Sequence, residues 1–377
     1  MDSTALAERL LSLLVESARV STYKSALLLA IVDRVQEHIG DGRLPVRDLA
    51  ERVVELYWPQ TLKYPTTGGV LRQVQEGEAV IVTAVTAFRG QLGSELRALP
   101  QVHRSGPEWE QLLSRVEEKL AEFPIPRLQK PFQPFLYDFD WTWEAEGKWS
   151  VRRYRSSSRM LMLHDGVAET LVSLGPLLRP FIVRWWTDKA AQLNPRVEAA
   201  RSLIKFEDFL FGRDRVALER VAESLLDLQR GVCFYCGSRI ARDREIDHFV
   251  PWSRSGDDGL DNLVAACRTC NNDKRATLPG ASHLHELLSR NERWFADLDS
   301  IATERQWPRN HPRSLAIVRV AYLTGSTDRL LWRWDRAARR RALAPLEGDR
   351  LHLERLLAAA MDKDALGATL ESQPEAS

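Results

Sequence analysis

Two Cys-x-x-Cys pairs constrain the fold of this chain more than any other feature of its sequence. Cys233 and Cys236 form the first pair, Cys267 and Cys270 form the second, and the chain contains no other cysteine. Two thiolates separated by two residues can bind one ion from a tight turn, and two such turns supply the four sulfur ligands of a structural zinc site. Four thiolates close the coordination sphere, so this zinc would have no open position for a catalytic water.

Disulfide bonds are the alternative fate of four cysteines. The chain begins Met1-Asp2-Ser3 and continues into a charged, amphipathic segment rather than a signal peptide. We therefore expect a cytoplasmic location, where thiols stay reduced and available for a metal. The stretch between the two pairs is longer than in a simple zinc ribbon, so an additional element is expected to fold between them.

A run of polar side chains with potential for chemistry lies between and just after the two pairs. In chain order these side chains are Asp247, His248, Asn262, Asn271 and Lys274. Neighbouring residues on a strand point to opposite faces, so Asp247 and His248 serve one site only where the strand bends or ends. Pro251 favours an end. Asn271 has a simpler alternative role, because asparagine is a common N-cap and a helix is expected to begin at this point.

This pattern closely resembles the HNH endonuclease motif, over about residues 228–280. The resemblance implies a ββα-metal unit, in which two strands and a helix surround one divalent ion. It implies that His248 is the general base that deprotonates the attacking water, and that Asp247 and Asn271 bind the ion. Asn262 would hold the loop and orient the His248 peptide, and Lys274 would contact a phosphate. Many members of the family have histidine where this chain has Asn271.

One hard cation and one imidazole can together activate water, stabilise charge on a phosphoryl group and assist the leaving oxygen. A carboxylate and an amide oxygen are hard ligands, and they leave room for water and phosphate oxygens, as Mg²⁺ binding requires. We therefore expect Mg²⁺ or Mn²⁺ at the catalytic site, with zinc only at the cysteines. Asn271 in place of histidine weakens the case for nickel or zinc as the catalytic ion.

The function implied by the resemblance is hydrolysis of phosphodiester bonds in DNA, leaving a 5′-phosphate and a 3′-hydroxyl. A role in restriction-like defence against foreign DNA follows from family analogy alone. Two alternatives remain open. The segment could be a catalytically silent zinc module that recruits nucleic acid or protein, or the nuclease could act only with a protein partner. RNA as a substrate and a homodimer also stay open.

Length and composition indicate how the rest of the chain is organised. A chain of 377 residues with 44% hydrophobic residues is expected to form two or three domains. No apolar run is long enough to cross a membrane, which excludes a membrane span. The net charge is only +1, so any DNA-binding surface has to be local.

We predict a mostly α, α+β protein with a central ββα unit. The predicted regions are an N-terminal helical domain at 1–125, a hairpin and helical linker at 126–225, the HNH domain at 226–282, a C-terminal helical region at 283–365 and a disordered tail at 366–377. The first three helices have the spacing of a helix-turn-helix or winged-helix module, although a plain helical bundle has the same pattern.

A β-hairpin is predicted near 135–155, because aromatic and polar residues alternate on both sides of Gly147. Its second strand carries Arg152, Arg153 and Arg155, interleaved with aromatic rings, as in a surface that contacts DNA. Charged residues that protect an exposed strand edge are the alternative.

A helix is predicted over 328–343, and its periodicity places three arginines on one face: Arg333, Arg336 and Arg340. This face is a second candidate for phosphate contact, and a solvated charged face is the alternative.

Overall fold

The computed structural model describes residues 3–16, 21–38, 42–95, 99, 103–129, 134–141, 149–198, 203–211, 215–240, 244–324, 329–335, 340–346 and 350–371. Helices dominate the described residues, and the strands form small antiparallel sheets, so the predicted mostly α class is confirmed. The chain divides into two compact units, Met1–Ala217 and Leu218–Ser377. The finer domain boundaries stay predictions.

The first unit is a helical assembly with one small sheet. Its helices are α1 (Ser3–Glu16), α2 (Tyr23–Arg34), α3 (Val46–Tyr57), α4 (Val80–Leu92), α5 (Pro107–Glu122), α6 (Ile125–Leu128), α7 (Val151–Arg155), α8 (Val167–Leu193), α9 (Pro195–Glu198) and α10 (Leu203–Phe211). Its strands are β1 (Arg43–Pro45), β2 (Tyr137–Asp138) and β3 (Met160–Leu163), in the order β1-β3-β2. The helix-turn-helix interpretation of the first helices stays a prediction.

Helix α2 forms the centre of this unit, because nearly all of its residues are buried and α3 and α8 pack against it. Its one buried carboxylate, Asp33, accepts a hydrogen bond from Arg52 Nε at 2.8 Å and pairs with Arg179 of α8. Two guanidinium groups thus compensate a charge that would be costly to bury alone.

The predicted hairpin near 135–155 is wrong in its pairing. β2 pairs with β3, placing Tyr137 opposite Leu163, and residues 151–155 form the short helix α7. Ser150 starts that helix, because its hydroxyl accepts a hydrogen bond from the Arg153 N–H at 3.3 Å. The sequence alternation that predicts a strand is overridden by this cap and by burial of Tyr154, whose hydroxyl donates to Glu117 at 2.7 Å.

The second unit contains the cysteine-rich segment. Its elements are α11 (Arg215–Leu228), β4 (Arg244–His248), α12 (Trp252–Ser255), a 3₁₀ turn (Leu260–Asn262), β5 (Leu263–Cys267), α13 (Arg268–Lys274), α14 (Ala281–Arg293), α15 (Phe295–Glu304), α16 (His311–Leu323), β6 (Leu330–Asp335), β7 (Arg340–Pro345) and α17 (Arg350–Glu371). Strands β4 and β5 followed by α13 form the predicted ββα arrangement.

Strands β4 and β5 form an antiparallel hairpin with two chemically different ends. Arg244 lies opposite Cys267 at one end, and His248 lies opposite Leu263 at the other. Residues 263–266 of β5 are fully buried, since one face of the hairpin packs against a core that includes Phe249, Leu284 and Trp332. The hairpin therefore holds the cysteines and the Asp-His pair at fixed separation along two short strands.

The helix predicted over 328–343 is wrong. The structure has the antiparallel strands β6 and β7 there, with Arg333 opposite Ala342, so Arg333 and Arg340 do not share a helical face. Arg336 lies outside the described residues. Strand β6 is fixed by tertiary pairing, because the Trp332 N–H donates to Leu278 O at 2.8 Å and Trp332 O accepts from Gly280 N at 2.7 Å. Such pairing outweighs a weak intrinsic helix preference.

Among the helices of the described residues, we find none with the length and apolar character needed to cross a membrane.

Candidate functional site

The four cysteines meet at the end of the β4–β5 hairpin where Arg244 pairs with Cys267. Cys233 and Cys236 come from a tight turn after α11, in which the Gly237 N–H donates to Cys233 O at 2.9 Å. Gly237 has a φ of 71°, a left-handed conformation that glycine adopts without the strain of a side chain. Cys267 ends β5, and Cys270 lies one turn into α13.

The four sulfur atoms all lie within 4.8 Å of one another. The Sγ atoms of Cys236 and Cys267 are 3.9 Å apart. A tetrahedron with zinc–sulfur bonds of about 2.3 Å has sulfur–sulfur edges of about 3.8 Å, so the spacing of this pair fits a single zinc ion. The cluster is thus compatible with zinc binding, as the sequence predicts.

Hydrogen bonding within the cluster shifts the thiol pKa values in opposite directions. The hydrogen bond from the Cys270 thiol lowers the pKa of Cys233 to about 5, and this same contact raises the pKa of Cys270. Burial raises the pKa of Cys267. A thiolate stabilised at Cys233 is the form of cysteine that binds metal.

Asp247 lies near the other end of β4, and its side chain is almost fully buried. Two groups donate to the same carboxylate oxygen, Oδ2: the Tyr235 hydroxyl at 2.6 Å and the Lys274 ammonium at 2.9 Å. Burial and the charge of Asp247 hold the pKa of Tyr235 well above its usual range, so Tyr235 remains a donor. Both hydrogen bonds go to Oδ2, so neither of them uses the second carboxylate oxygen, Oδ1.

Asn271 lies within α13, as the fourth residue of a helix that begins at Arg268. The N-cap position belongs to Cys267, so the alternative role of Asn271 as a cap is excluded. The Asn271 side-chain Nδ2 donates to Glu245 Oε2 at 2.5 Å. Glu245 and Asp247 are two residues apart on β4 and share one face, so Asn271 lies against the face that carries Asp247.

Binding of a hard divalent cation by Asp247 and Asn271 stays a prediction. Because Asn271 Nδ2 donates to Glu245, the amide oxygen Oδ1 is the atom that remains for a metal. One carboxylate oxygen from Asp247 and one amide oxygen from Asn271 make an all-oxygen donor set, which Mg²⁺ and Mn²⁺ accept together with water.

His248 is the last residue of β4. Its Nε2 lies 2.8 Å from Asp258 Oδ1, and its side chain is 16% exposed, so one edge of the imidazole reaches solvent. A carboxylate can only accept a hydrogen bond, so Nε2 is the donor and Nδ1 is the nitrogen able to take a proton. The strand ends here, as Pro251 predicts, and a shared site for Asp247 and His248 stays a prediction.

Asn262 joins the chain after His248 to the loop before β5. Its Oδ1 accepts from the Val250 N–H at 2.8 Å, and its Nδ2 donates to Val250 O and to Asp257 O, both at 3.1 Å. The Phe249 N–H also donates to Asn262 O at 2.8 Å. Asn262 is fully buried, and its contacts are those of a residue that holds a loop. Its effect on a reaction stays a prediction.

A buried ionic cluster fixes this loop from the other side. Asp261 accepts hydrogen bonds from Arg309 Nε at 3.0 Å and from His311 Nδ1 at 2.7 Å. Burial alone would raise the pKa of Asp261, but the hydrogen bonds and charges of His311 and Arg309 outweigh it and lower that pKa below its usual value. Arg290 is buried and donates to the main-chain oxygens of Leu260 and Asp261, both at 3.2 Å.

Lys274 does not have the position expected for a phosphate contact. Its side chain is 0% exposed, and its ammonium donates to Asp247 Oδ2 and to the main-chain oxygen of His248, both at 2.9 Å. The burial has a simple cause, and a phosphate contact by Lys274 stays a prediction. Lys274 ends α13 with its side chain directed back onto β4, and the carboxylate of Asp247 compensates its charge.

The three predicted DNA-contact arginines lie on α7 in the first unit. Arg152, Arg153 and Arg155 are all exposed, and Arg155 pairs with Glu118 at 2.6 Å. Helix α5 supplies further carboxylates to this surface, since Glu117 pairs with Arg159 at 3.6 Å. The structure therefore places these arginines on a helix beside acidic residues, and their contact with DNA stays a prediction.

Sequence reasoning missed several residues that shape the site. Tyr235 lies between the first two cysteines and Asp258 lies in a Gly-Asp-Asp-Gly sequence, so both belong to the segment that resembles the HNH motif. Arg290, Arg309 and His311 are distant in the sequence and have no motif around them. Only the packing of α14 and α16 against the 3₁₀ turn brings them to the loop.

The family model described as HNH endonuclease matches residues 233–277. This stretch contains the four cysteines, both strands of the hairpin and α13, so the predicted resemblance is confirmed. The match indicates a nuclease domain, which acts on nucleic acid. No curated protein and no solved structure matches the chain.

Proposed function

We propose that this protein is a metal-dependent endonuclease that hydrolyses phosphodiester bonds in DNA. The observation that carries the proposal is the placement of Asp247 and His248 at the end of β4 with Asn271 against the same strand, while four cysteines cluster at its other end. A zinc ion at the cysteines would have a structural role, because four thiolates leave it no open position.

In the proposed reaction, His248 accepts a proton from the attacking water at Nδ1. Asp258 holds the hydrogen on Nε2, and the end of β4 presents the imidazole to solvent. Asp247 and Asn271 would hold Mg²⁺ or Mn²⁺ through their Oδ1 atoms. The bound ion supplies charge stabilisation at the phosphate and assistance to the leaving oxygen. Asn262 keeps the loop beside His248 in place.

The direct test is cleavage of supercoiled plasmid by the purified protein in Mg²⁺, in Mn²⁺ and in EDTA. We expect nicked or linear product only with metal, and a loss of cleavage in His248→Ala. His285→Ala is the matched control, because His285 is an exposed histidine on α14 of the same unit. Removal of a general base costs about 10²- to 10⁴-fold in rate.

Equal cleavage by folded His248→Ala and by the wild type would reject the assignment of the base. The order in which nicked and linear plasmid accumulate also tests the number of active sites. A monomer with one site produces the nicked form first, whereas a homodimer that cuts both strands in one encounter produces linear plasmid directly.

We also propose that the first unit binds DNA through Arg152, Arg153 and Arg155, the last of which also pairs with Glu118. Each phosphate contact releases counterions from the DNA. A plot of the logarithm of the affinity against the logarithm of the salt concentration therefore falls with a slope of about 0.9 per contact. Arg152→Ala combined with Arg153→Ala should flatten the salt dependence by nearly two contacts. Arg184→Ala, at an exposed arginine paired with Asp188 on α8, is the control.

One observation favours the silent zinc module as a second candidate. Lys274 already compensates the charge of Asp247, which reduces the attraction of that carboxylate for a cation. This candidate predicts tight DNA binding by zinc-loaded protein with no product in Mg²⁺ or Mn²⁺, in the presence or absence of cell extract. Cleavage that appears only with extract would instead indicate a required protein partner.

A restriction-like defence role is the broadest part of the proposal. It predicts that cells that express the wild type resist phage infection, and that cells that express His248→Ala do not. Equal plaque numbers in both strains would remove this role and leave the nuclease activity to be judged by the plasmid test.

A further inference from the structure

We infer that Asp258 is a positioning residue for His248, and that the segment 307–314 builds the support that makes this possible. The inference rests on the proposed role of His248 as general base, and it adds parts of the chain that lie outside the matched residues 233–277. Asp258 would act through His248, because its carboxylate contacts the imidazole.

Each oxygen of the Asp258 carboxylate accepts a hydrogen bond. Oδ1 accepts from His248 Nε2 at 2.8 Å, and Oδ2 accepts from the indole N–H of Trp252 at 3.3 Å. Trp252 is the first residue of α12, directly after the turn that ends β4. One carboxylate therefore bridges the imidazole and the first turn of the next helix.

The backbone of Asp258 is held as well, by residues far along the chain. Its main-chain oxygen accepts from the indole N–H of Trp307 at 2.7 Å. On one side of it, Asp257 Oδ2 accepts from the Ser314 hydroxyl at 2.7 Å. On the other side, the Leu260 N–H donates to Pro308 O at 3.3 Å.

These supports separate the His248–Asp258 pair from an ordinary surface pair. Asp258 is 42% exposed, and an ion pair with that exposure on mobile side chains contributes little. Here both the carboxylate and the backbone are fixed, so the geometry of the pair is set before any substrate binds. Residues that orient a functional side chain in this way typically change activity by about 10- to 100-fold when they are removed.

The chemical consequence concerns the tautomer of the imidazole. A neutral imidazole carries one hydrogen, and only the nitrogen without it can accept a proton. Asp258 accepts the hydrogen on Nε2, so the lone pair stays on Nδ1. Without Asp258, the hydrogen can move to Nδ1, and that fraction of the protein has no base in the required position. Asp258 is thus expected to change kcat and to leave KM nearly unaffected.

The first experiment reads the tautomer directly and needs no activity. The eight histidines are labelled with ¹⁵N, and the His248 ring signals are identified by their loss in His248→Ala. Spectra are recorded at a pH well above the ordinary imidazole pKa of about 6.5. We expect hydrogen on Nε2 in the wild type and a mixture of both tautomers in Asp258→Ala. Unchanged His248 signals in Asp258→Ala would overturn the inference.

The second experiment measures kcat and KM for plasmid cleavage in Mg²⁺ or Mn²⁺. We expect Asp258→Ala to lower kcat by about 10- to 100-fold with KM changed less than about twofold. Asp258→Asn keeps an acceptor oxygen and should fall between Asp258→Ala and the wild type. Asp138→Ala is the matched control, because Asp138 pairs with His164 at 3.0 Å in the first unit and should leave both constants unchanged.

The two experiments distinguish the two proposals. A wild type that cuts no DNA, with or without cell extract, rejects the proposed nuclease function, while the ring signals still decide whether Asp258 sets the tautomer of His248. A kcat in folded Asp258→Ala equal to that of the wild type rejects the positioning role for catalysis. If Asp258→Ala does not fold, Asp258→Leu, which is close to aspartate in size and cannot accept a hydrogen bond, supplies both the spectra and the rate constants, with the same criteria.

Discussion

The two ends of the β4–β5 hairpin are built in different ways. At the cysteine end, four side chains from two short sequence motifs form a compact sulfur cluster. At the histidine end, Asp247 and His248 depend on a network that includes Lys274 and the distant residues Trp307 and Arg309. One end is assembled from local motifs, and the other is assembled from the whole unit.

The two ends are expected to be stabilised by different interactions, metal binding at the cysteine end and packing at the histidine end. The cysteine end can be organised by one strong interaction, since an ion that binds four thiolates brings both turns together. The histidine end has many weaker contacts, and each fixes one atom of a loop or side chain. We therefore expect loss of the zinc to affect the whole unit, and single substitutions at the histidine end to have graded effects.

The largest effect is expected for loss of zinc. Structural zinc contributes about 10–16 kcal/mol of apparent binding free energy in small zinc-dependent domains. Cys270→Ser removes a buried ligand and should abolish zinc binding and the cooperative thermal unfolding of the second unit. Zinc content by mass spectrometry and a thermal melt measure both, with chelated and zinc-reloaded wild type as controls. A zinc-free Cys270→Ser protein with the melting temperature of the wild type would contradict the prediction.

The second largest loss of stability is expected at Asp261, where the histidine end contacts residues next to and in α16. Asp261→Asn leaves the buried guanidinium of Arg309 without its full charge partner, and breaking a buried ion pair costs about 3–5 kcal/mol. Urea denaturation measures the loss. Asp299→Asn is a matched control, because Asp299 pairs with the same arginine but is mostly exposed, so its loss should cost less than about 1 kcal/mol. Equal losses in the two variants would refute the role of burial.

The lowered pKa of Asp261 also predicts that the free energy of unfolding depends on pH. Its pKa is lower in the folded protein than in the unfolded chain, so the folded state binds this proton more weakly. The stability that it contributes is therefore present above the ordinary aspartate pKa of about 3.9, and is lost as the pH falls through the lowered value. Asp261→Asn should lose less stability than the wild type when the pH is lowered from about 5 to about 3.

A smaller effect is expected at Lys274. Lys274→Met leaves the Asp247 carboxylate buried with the Tyr235 hydroxyl as its remaining donor among the described residues. The change should cost about 3 kcal/mol, near the lower limit for a broken buried pair. Lys119→Met is the control, because Lys119 forms a more exposed pair with Glu122 at 2.8 Å. If Lys274→Met is as stable as the wild type but binds DNA more weakly, the result would support a phosphate contact by Lys274 despite the burial of its side chain.

The smallest effect is expected at Tyr235. Tyr235→Phe removes one hydrogen bond to the Asp247 carboxylate, and hydrogen bonds to charged groups contribute about 1.5–3 kcal/mol. Tyr322→Phe is the matched control, since its buried hydroxyl donates at the same distance, 2.6 Å, to the neutral carbonyl of Pro279. That bond should contribute about 1 kcal/mol. Urea denaturation of both variants gives the comparison, and a larger loss in Tyr322→Phe would contradict it.

The sequence predicts the local part of the site well. The cysteine spacing predicts a cluster that the structure brings together, and the order of Asp247, His248 and Asn271 predicts strands and a helix that the structure contains. The failures occur where the local pattern is weak. Residues 151–155 and 328–343 have patterns compatible with either a strand or a helix, and an N-cap decides the first while pairing with Leu278 and Gly280 decides the second.

By itself, the sequence determined the four-cysteine cluster, the ββα segment and the types of side chain at its two ends, because two-residue spacings and turn residues act over short distances. Only the tertiary structure decided that Lys274 is buried against Asp247, that Asp258 contacts His248, and that Arg309 and His311 fix the loop. Burial and pairing of charges depend on which distant elements pack together. That packing is a property of the whole unit, and no local pattern of residues encodes it.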